Sequence, residues 1–342
     1  MSDLLNEDNI DLKGEIDLKG EIDLKGEIDL KGEIDDLLFG IASDGFPNEE
    51  PISIYDKMDD YRKNFNPIIK ITPLVVSVQS AKAKMTHAFD LNKLAENITS
   101  NIDFKNAKDG VVGVFYKDIH NGEIKKPKPR KKGAFPNNMA LLIKSSTHTG
   151  KKIHMKIFKN SSISMVGCKV KEDGSSVCKI LEQYIANQPD LFEDEKERKK
   201  FSINNFETTM VNSNYSVGFK IDRTRLFDFL NKKHSYLFSS YDSAVYAAVK
   251  IGFYYNSNKT KQNGICNCPN SNCTLDKTSS GKGSGNGINQ CKKVTIAVFE
   301  SGNIVITGGR NLIQAREAYK YFNQIIKNNA KDFALINIDD IV

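Results

Sequence analysis

The stretch AVFESGNIVITGGR, Ala297 to Arg310, decides the fold of this 342-residue chain. Short apolar runs, Ala-Val-Phe and Ile-Val-Ile, flank Ser-Gly-Asn, so it reads as two short strands around a tight turn. The chain writes nearly the same thing 141 positions earlier, in KIFKNSSISMVGCK, Lys156 to Lys169. Each copy runs without a gap into a helical pattern, GSSVCKILEQYI after the first and IQAREAYKYFNQII after the second.

Other pairs of segments extend the duplication. ITPLVVSVQS followed by AFDLNKLAENI predicts a strand and then a helix, with Asp90 as cap and Leu91, Leu94 and Ile98 on one face. A shift of 132 places Asp90 on Asp222, Leu94 on Leu226 and Pro73 on Asn205, where SINNFETTMVNSNYSVGF leads into KIDRTRLFDFL. NNMALLIKS and SAVYAAVKI are apolar strands ending in Lys144 and Lys250, at an offset of 106. The offsets differ because copy one carries a basic insertion, HNGEIKKPKPRKKGAFP, and copy two a Gly-, Asn- and Cys-rich one from Asn256 to Gln290. Both fall at expected turns, where a sheet tolerates insertion.

The expected organisation is an arm over residues 1–66, a first repeat over 67–190 with its insertion at 118–137, a second repeat over 200–330 with its insertion at 256–291, and a tail over 331–342. The arm holds DLKGEI four times in tandem, Asp11 to Ile34. A period of six with a Gly in each copy fits neither helix nor strand, so disorder is the expectation. The N-terminus lacks the basic and apolar regions of a secretory signal, and no apolar run approaches 18 residues, so neither secretion nor a membrane span is expected.

Charge is unevenly divided. Residues 1–60 carry 19 Asp and Glu against five Lys, a balance of −14, so the remainder carries +20 within the total of +6. A basic body with an acidic arm is the pattern of a nucleic-acid binder with a self-inhibiting or partner-binding segment. The run KKPKPRKK, Lys125 to Lys132, reads as a nuclear-localisation signal or a grip on a nucleic-acid backbone.

With these residues laid out, the chain resembles the TATA-box-binding protein family. VFESGNIVITGGR is similar to that family's I/V-F-x-S-G-x-x-V-x-T-G-A-K segment, and IFKNSSISMVGCK is a degraded copy. The resemblance spans roughly residues 70–328, and the insertions and the Lys- and Asn-rich composition look most like members carried by large nucleocytoplasmic DNA viruses. It implies an α+β fold: a duplicated saddle of curved antiparallel β-sheet with helices on the convex face, in two pseudo-symmetric repeats. It also implies a transcription initiation factor that lies in the minor groove of A·T-rich DNA, wedges phenylalanines between base steps and bends the duplex.

Residue by residue, the resemblance assigns Phe158 and Phe299 as wedges, and Ala297, Val305 and Thr307 as groove contacts. Asn205 becomes the central donor, and Lys144, Lys169, Lys250 and Arg310 the phosphate contacts at the rim. Copy one departs from the pattern at Pro73, Val166 and Lys156, and the outer wedge positions are Asn138 and Ala244. Phe135, Tyr241 or Tyr246 replace the missing wedges only if the register slips. Implied partners are double-stranded DNA, a transcription factor B-type protein and RNA polymerase, with Arg316 and Lys320 as docking charges on a monomer. The implied location is a viral factory in the host cytoplasm, the nucleus or the virion. A non-specific architectural or packaging protein, or a scaffold that has left DNA, would use the same saddle.

The six cysteines suit a reducing compartment. Cys266, Cys268, Cys273 and Cys291 could hold a structural zinc, although C-x-C-x4-C-x17-C is not the usual C-x2-C spacing, and an unliganded insertion is the alternative. No cofactor is otherwise expected. SSGKGSGNG has no preceding strand and is a linker. The five histidines are scattered and no nucleophile or paired-carboxylate signature is visible, so no enzyme is expected.

Overall fold

The computed structural model describes residues 60–107, 109–125, 137–266, 268, 283–285 and 290–336, and all structural statements below concern these. The DLKGEI repeats, most of the basic run, Phe135 and Cys273 lie outside them. The described residues belong to one unit, Ser53–Val342.

Copy one runs β1 (Val75–Met85), α1 (Leu91–Asn101), β2 (Gly110–Tyr116), β3 (Ile119–Gly122), β4 (Asn138–Lys144), β5 (Lys152–Phe158), β6 (Ser162–Cys168) and α2 (Lys171–Ala186). A short helix, α3 (Glu195–Lys200), leads to copy two: β7 (Ile203–Ser216), α4 (Arg223–Lys233), β8 (Phe238–Asp242), β9 (Tyr246–Tyr255), β10 (Lys292–Phe299), β11 (Asn303–Gly309) and α5 (Leu312–Phe333). The eleven strands form one antiparallel sheet in the order β3-β2-β4-β5-β6-β1-β7-β11-β10-β9-β8. Outward from the central β1–β7 pair, the two halves follow the same plan. β3 alone has no counterpart; it occupies the start of the insertion expected as a loop.

The register reveals the symmetry directly. Gln79 lies opposite Val211, and these are the residues that the 132-position shift makes equivalent. A pseudo-twofold axis therefore passes between them.

Local chemistry repeats as well. Asp90 caps α1 by accepting from the backbone N–H of Asn92 (2.6 Å) and Lys93 (3.2 Å), and Asp222 caps α4 through Arg225 (3.0 Å). At the hairpin-to-helix joints, Lys169 N–H donates to Asp173 (2.8 Å) and Arg310 N–H to Gln314 (2.7 Å), again 141 positions apart. Asp173 also accepts from Ser145, Thr147 and Thr149. β3 ends on Gly122, opposite Gly113, and only glycine fits there: φ is +75°, and a Cβ would run into the Val112 carbonyl oxygen.

All helices with substantial buried faces cover one side of the sheet. In copy one, Leu94, Ile98, Val177, Leu181 and Ile185 pack with Met139, Leu141, Ile143, Ile153, Met155 and Ile157. In copy two, Leu226, Leu230, Ala315, Phe322 and Ile326 pack with Val249, Ile251, Ile296, Val298 and Ile306. Residues 69–74 precede β1 in sequence but pack on the second core, where Lys70 N–H reaches Val217 O and Thr72 N–H reaches Ser216 O, each at 2.9 Å. Strand alternation sends the remaining residues to the other face, which has no helix over it among the described residues. No helix is long and apolar enough to cross a membrane.

Candidate nucleic-acid interface

The uncovered face of copy two carries Thr295, Ala297 and Phe299 from β10, and Val305 and Thr307 from β11. Cross-strand pairs Thr295–Thr307 and Ala297–Val305 hold them together. On its other side Ala297 pairs with Lys250 and Phe299 with Ala248. Ala297 sits low between longer neighbours and is 3% exposed.

This register corrects the position of the outer wedge. Asn138 lies opposite Phe158, so its equivalent is Ala248, opposite Phe299, rather than Ala244, which lies in the β8–β9 turn. The offset between β4 and β9 is therefore 110, not 106. Tyr246, two residues before Ala248 and on the same face, brings its ring to 6.0 Å from that of Phe299. The Lys250 ammonium lies 4.1 Å from the Tyr246 ring centroid, a cation–π contact. Copy two thus holds a row of Lys250, Tyr246 and Phe299. Tyr241 packs elsewhere, against Phe227 and Arg223.

The same register explains Lys156. It lies opposite Ala140, whereas in copy two Ala297 lies opposite Lys250. Each repeat therefore places one lysine and one alanine at the same cross-strand pair, with the strands exchanged. Phe158, Lys156, His154 and Lys152 share the uncovered face of β5. Val166, at the threonine position of β6, is 48% exposed beside Ser80.

Asn205 does not reach the centre. It lies six residues from Val211, is exposed, and adopts φ +56° where the β1–β7 register shifts, a conformation asparagine tolerates better than most residues. The central polar groups are instead Asn212 and Asn214 of β7. Thr307 donates its hydroxyl to Asn212 Oδ1, and Ser77 donates to Asn214 Oδ1 at 3.1 Å. With both side-chain oxygens accepting, the Nδ2 amides are left without a partner among the described residues. Sequence reading missed these asparagines, and Tyr246 at its true register. The available signal was VNSNYS, where polar residues alternate with buried Val211, Ser213 and Tyr215.

The rim cations differ in their engagement. Lys144 pairs with Asp109 (2.9 Å) and Lys82 with Glu207 (3.0 Å), both at exposed sites where such pairs are weak. Lys169 is half-buried, and its carbonyl accepts from Gln79 Nε2 at 3.1 Å. Arg310 departs from the expected rim role: its guanidinium donates to the carbonyls of Gly285 (2.8 Å) and Ser284 (3.0 Å), tying down the second insertion. Burial, reinforced by the Arg310 charge, pushes the Lys292 ammonium below its ordinary pKa. On the helical side Arg316 is exposed and Lys320 pairs with Glu317 at 2.8 Å.

At the root of that insertion the sulfurs of Cys266, Cys268 and Cys291 lie within 4.8 Å of one another. None of the described cysteines is in a disulfide. Burial, with its neighbouring cysteines, pushes the Cys268 thiol up to about 12.

Comparison with known proteins finds the following similarities. Residues 288–329 match the family model described as transcription factor TFIID (or TATA-binding protein, TBP). A TATA-box-binding protein-like protein of Acanthamoeba polyphaga mimivirus is 29% identical over 218 residues, covering 62% of this chain and 53% of the relative. The chain thus spans about half the length of the curated relative it matches. Among solved structures, Methanococcus jannaschii TBP aligns with a TM-score of 0.39 and 15% identity, over 75% of this chain and 99% of that one.

Proposed function

Taking the chain as a divergent TATA-box-binding-protein-like protein, we propose that its uncovered face binds the minor groove of A·T-rich duplex DNA and bends it in transcription initiation. The observation that carries this reading is the pair Asn212 and Asn214, whose oxygens are occupied and whose amides remain as donors beside the pseudo-twofold axis. An A·T minor groove presents only acceptors at its floor, and a G·C pair adds the guanine amino donor. Donor amides flanked by exposed Val75 and Val166 suit the first and not the second.

Phe158 at one end, and Phe299 with Tyr246 at the other, act as wedges between base steps. Unstacking costs a few kcal/mol per step and is offset by the larger contact of bent DNA. Lys250, Lys144, Lys169, Lys156 and Lys152 supply phosphate contacts, which fix position and make binding salt-dependent. The helical face, with Arg316 and Lys320, engages a transcription factor B-type protein and RNA polymerase.

The test is fluorescence anisotropy with end-to-end energy transfer on an A·T-rich and a G·C-rich duplex, for wild type and Phe299→Ala. Preferential binding and bending of the A·T duplex, with bending lost in the variant, is the expected result. Equal affinity without bending would replace the proposal with a packaging protein, and no binding with a scaffold.

A further inference from the structure

We propose that Cys266, Cys268 and Cys291 bind a structural zinc ion that fastens the two ends of the insertion between β9 and β10. The proposal does not depend on what the uncovered face binds. Tetrahedral thiolate zinc has Zn–S bonds of about 2.3 Å, which places its sulfurs roughly 3.8 Å apart. The three sulfurs already lie within 4.8 Å of each other, so closing on an ion takes side-chain adjustment alone. The three thiolates leave one tetrahedral position, which water can fill.

Long-range placement argues that the cluster is built. Cys266 and Cys268 follow β9, and Cys291 immediately precedes β10, yet Cys291 N–H donates to Cys268 Sγ at 2.9 Å across 23 positions. Asn256 Nδ2 approaches Cys291 Sγ at 3.6 Å. Such N–H donors to sulfur are what surrounds a thiolate ligand. Asn256 is itself fixed, because Gln262 accepts from its N–H (3.0 Å) and donates to its carbonyl (2.8 Å). Tyr254 N–H bonds the Gly264 carbonyl at 3.0 Å, which sets the chain two residues before Cys266.

The chemistry selects the ion. Three sulfur ligands, with no carboxylate or imidazole beside them among the described residues, favour zinc over magnesium or calcium. A disulfide would use two of the three and leave the third. The remaining described cysteines, Cys168 and Cys178, lie in the first core with Cys178 Sγ 3.6 Å from Met165 Sδ, and provide an internal control. Zinc would join the two ends of the insertion at its root, while Arg310 and the Lys293 N–H, which donates to the Gly283 carbonyl at 2.8 Å, hold residues 283–285 within it.

The full-length protein, purified under reducing conditions from zinc-supplemented cells, would be assayed for metal by mass spectrometry and titrated with cobalt after chelation. Equimolar zinc and thiolate-to-cobalt charge-transfer bands are expected. Cys291→Ser should weaken zinc binding by about a hundredfold, while Cys178→Ala keeps it. Chelation should speed proteolytic cleavage within residues 256–291 and leave the rest of the sheet intact. Folded wild type that holds no zinc and gives no thiolate–cobalt band overturns the proposal, and that result requires no variant to fold.

Discussion

Lys156 stands opposite Ala140, and the equivalent cross-strand pair in the second repeat is Ala297 opposite Lys250. One lysine and one alanine occupy the same site in each half, with the strands exchanged. A charge that looked out of place in the degraded copy is therefore one partner of a duplicated pair. Charge and side-chain volume at that pair are conserved across the pseudo-twofold axis although neither residue is. Lys156→Ala should then weaken DNA binding about as much as Lys250→Ala and lower the salt slope by about one phosphate contact each. Affinity measured across a salt series checks this, and an unchanged slope for Lys156→Ala would separate the two halves.

The aromatic row in copy two predicts an asymmetric bend. Phe299 has Tyr246 beside it at 6.0 Å, whereas Phe158 pairs with Asn138. Tyr246→Ala should reduce bending nearly as much as Phe299→Ala, and the double variant should lose little more than either, because the rings act as one wedge. Energy transfer on end-labelled duplexes reads the angle. Additive losses would mean that the rings act separately.

The central amides predict base preference. Asn212→Ala removes one donor and the acceptor of the Thr307 hydroxyl. It should narrow the discrimination between A·T-rich and G·C-rich duplexes by about 1 kcal/mol, roughly fivefold, and leave the salt slope unchanged. Competition binding measures both.

Acid stability follows from Asp173. Burial acts to raise its pKa, but hydrogen bonds from Thr147, Thr149 and the N–H groups of Val170 and Lys169 prevail and hold it at about 2, below the ordinary 3.8. A carboxyl depressed in the folded state gives stability that is complete above the unfolded pKa and vanishes as pH falls through the folded one. About 2 kcal/mol should therefore be lost between roughly pH 4 and pH 2. Urea unfolding across that range should show the loss in wild type, and Asp173→Asn should be less stable at neutral pH and lack that component.

Much of the fold was legible because the duplication repeats at the level of caps and hairpins. Asp90 and Asp222 are spaced alike, and so are the two β-hairpins that feed α2 and α5. What was not legible was register across strands that are distant in sequence. The offset of 106 matched Lys144 with Lys250 by appearance, but hydrogen bonding to β5 and β10 requires 110. That four-residue difference hid Tyr246. Asn205 looked central because it matched Pro73 in the shift, yet the strands cross at Gln79 and Val211, and the bulge at Asn205 is set by pairing that local sequence does not encode. Arg310 looked like a rim cation because its partners, Ser284 and Gly285, lie in an insertion without a periodic pattern.

The central claim is that the uncovered face reads the minor groove. It is tested most directly by replacing every A·T pair of the preferred duplex with inosine·cytosine, which resembles G·C in the major groove and lacks the amino group in the minor groove. The account predicts that the protein binds and bends the inosine duplex like the A·T original and discriminates against the G·C version. An inosine duplex bound as weakly as the G·C one would contradict it.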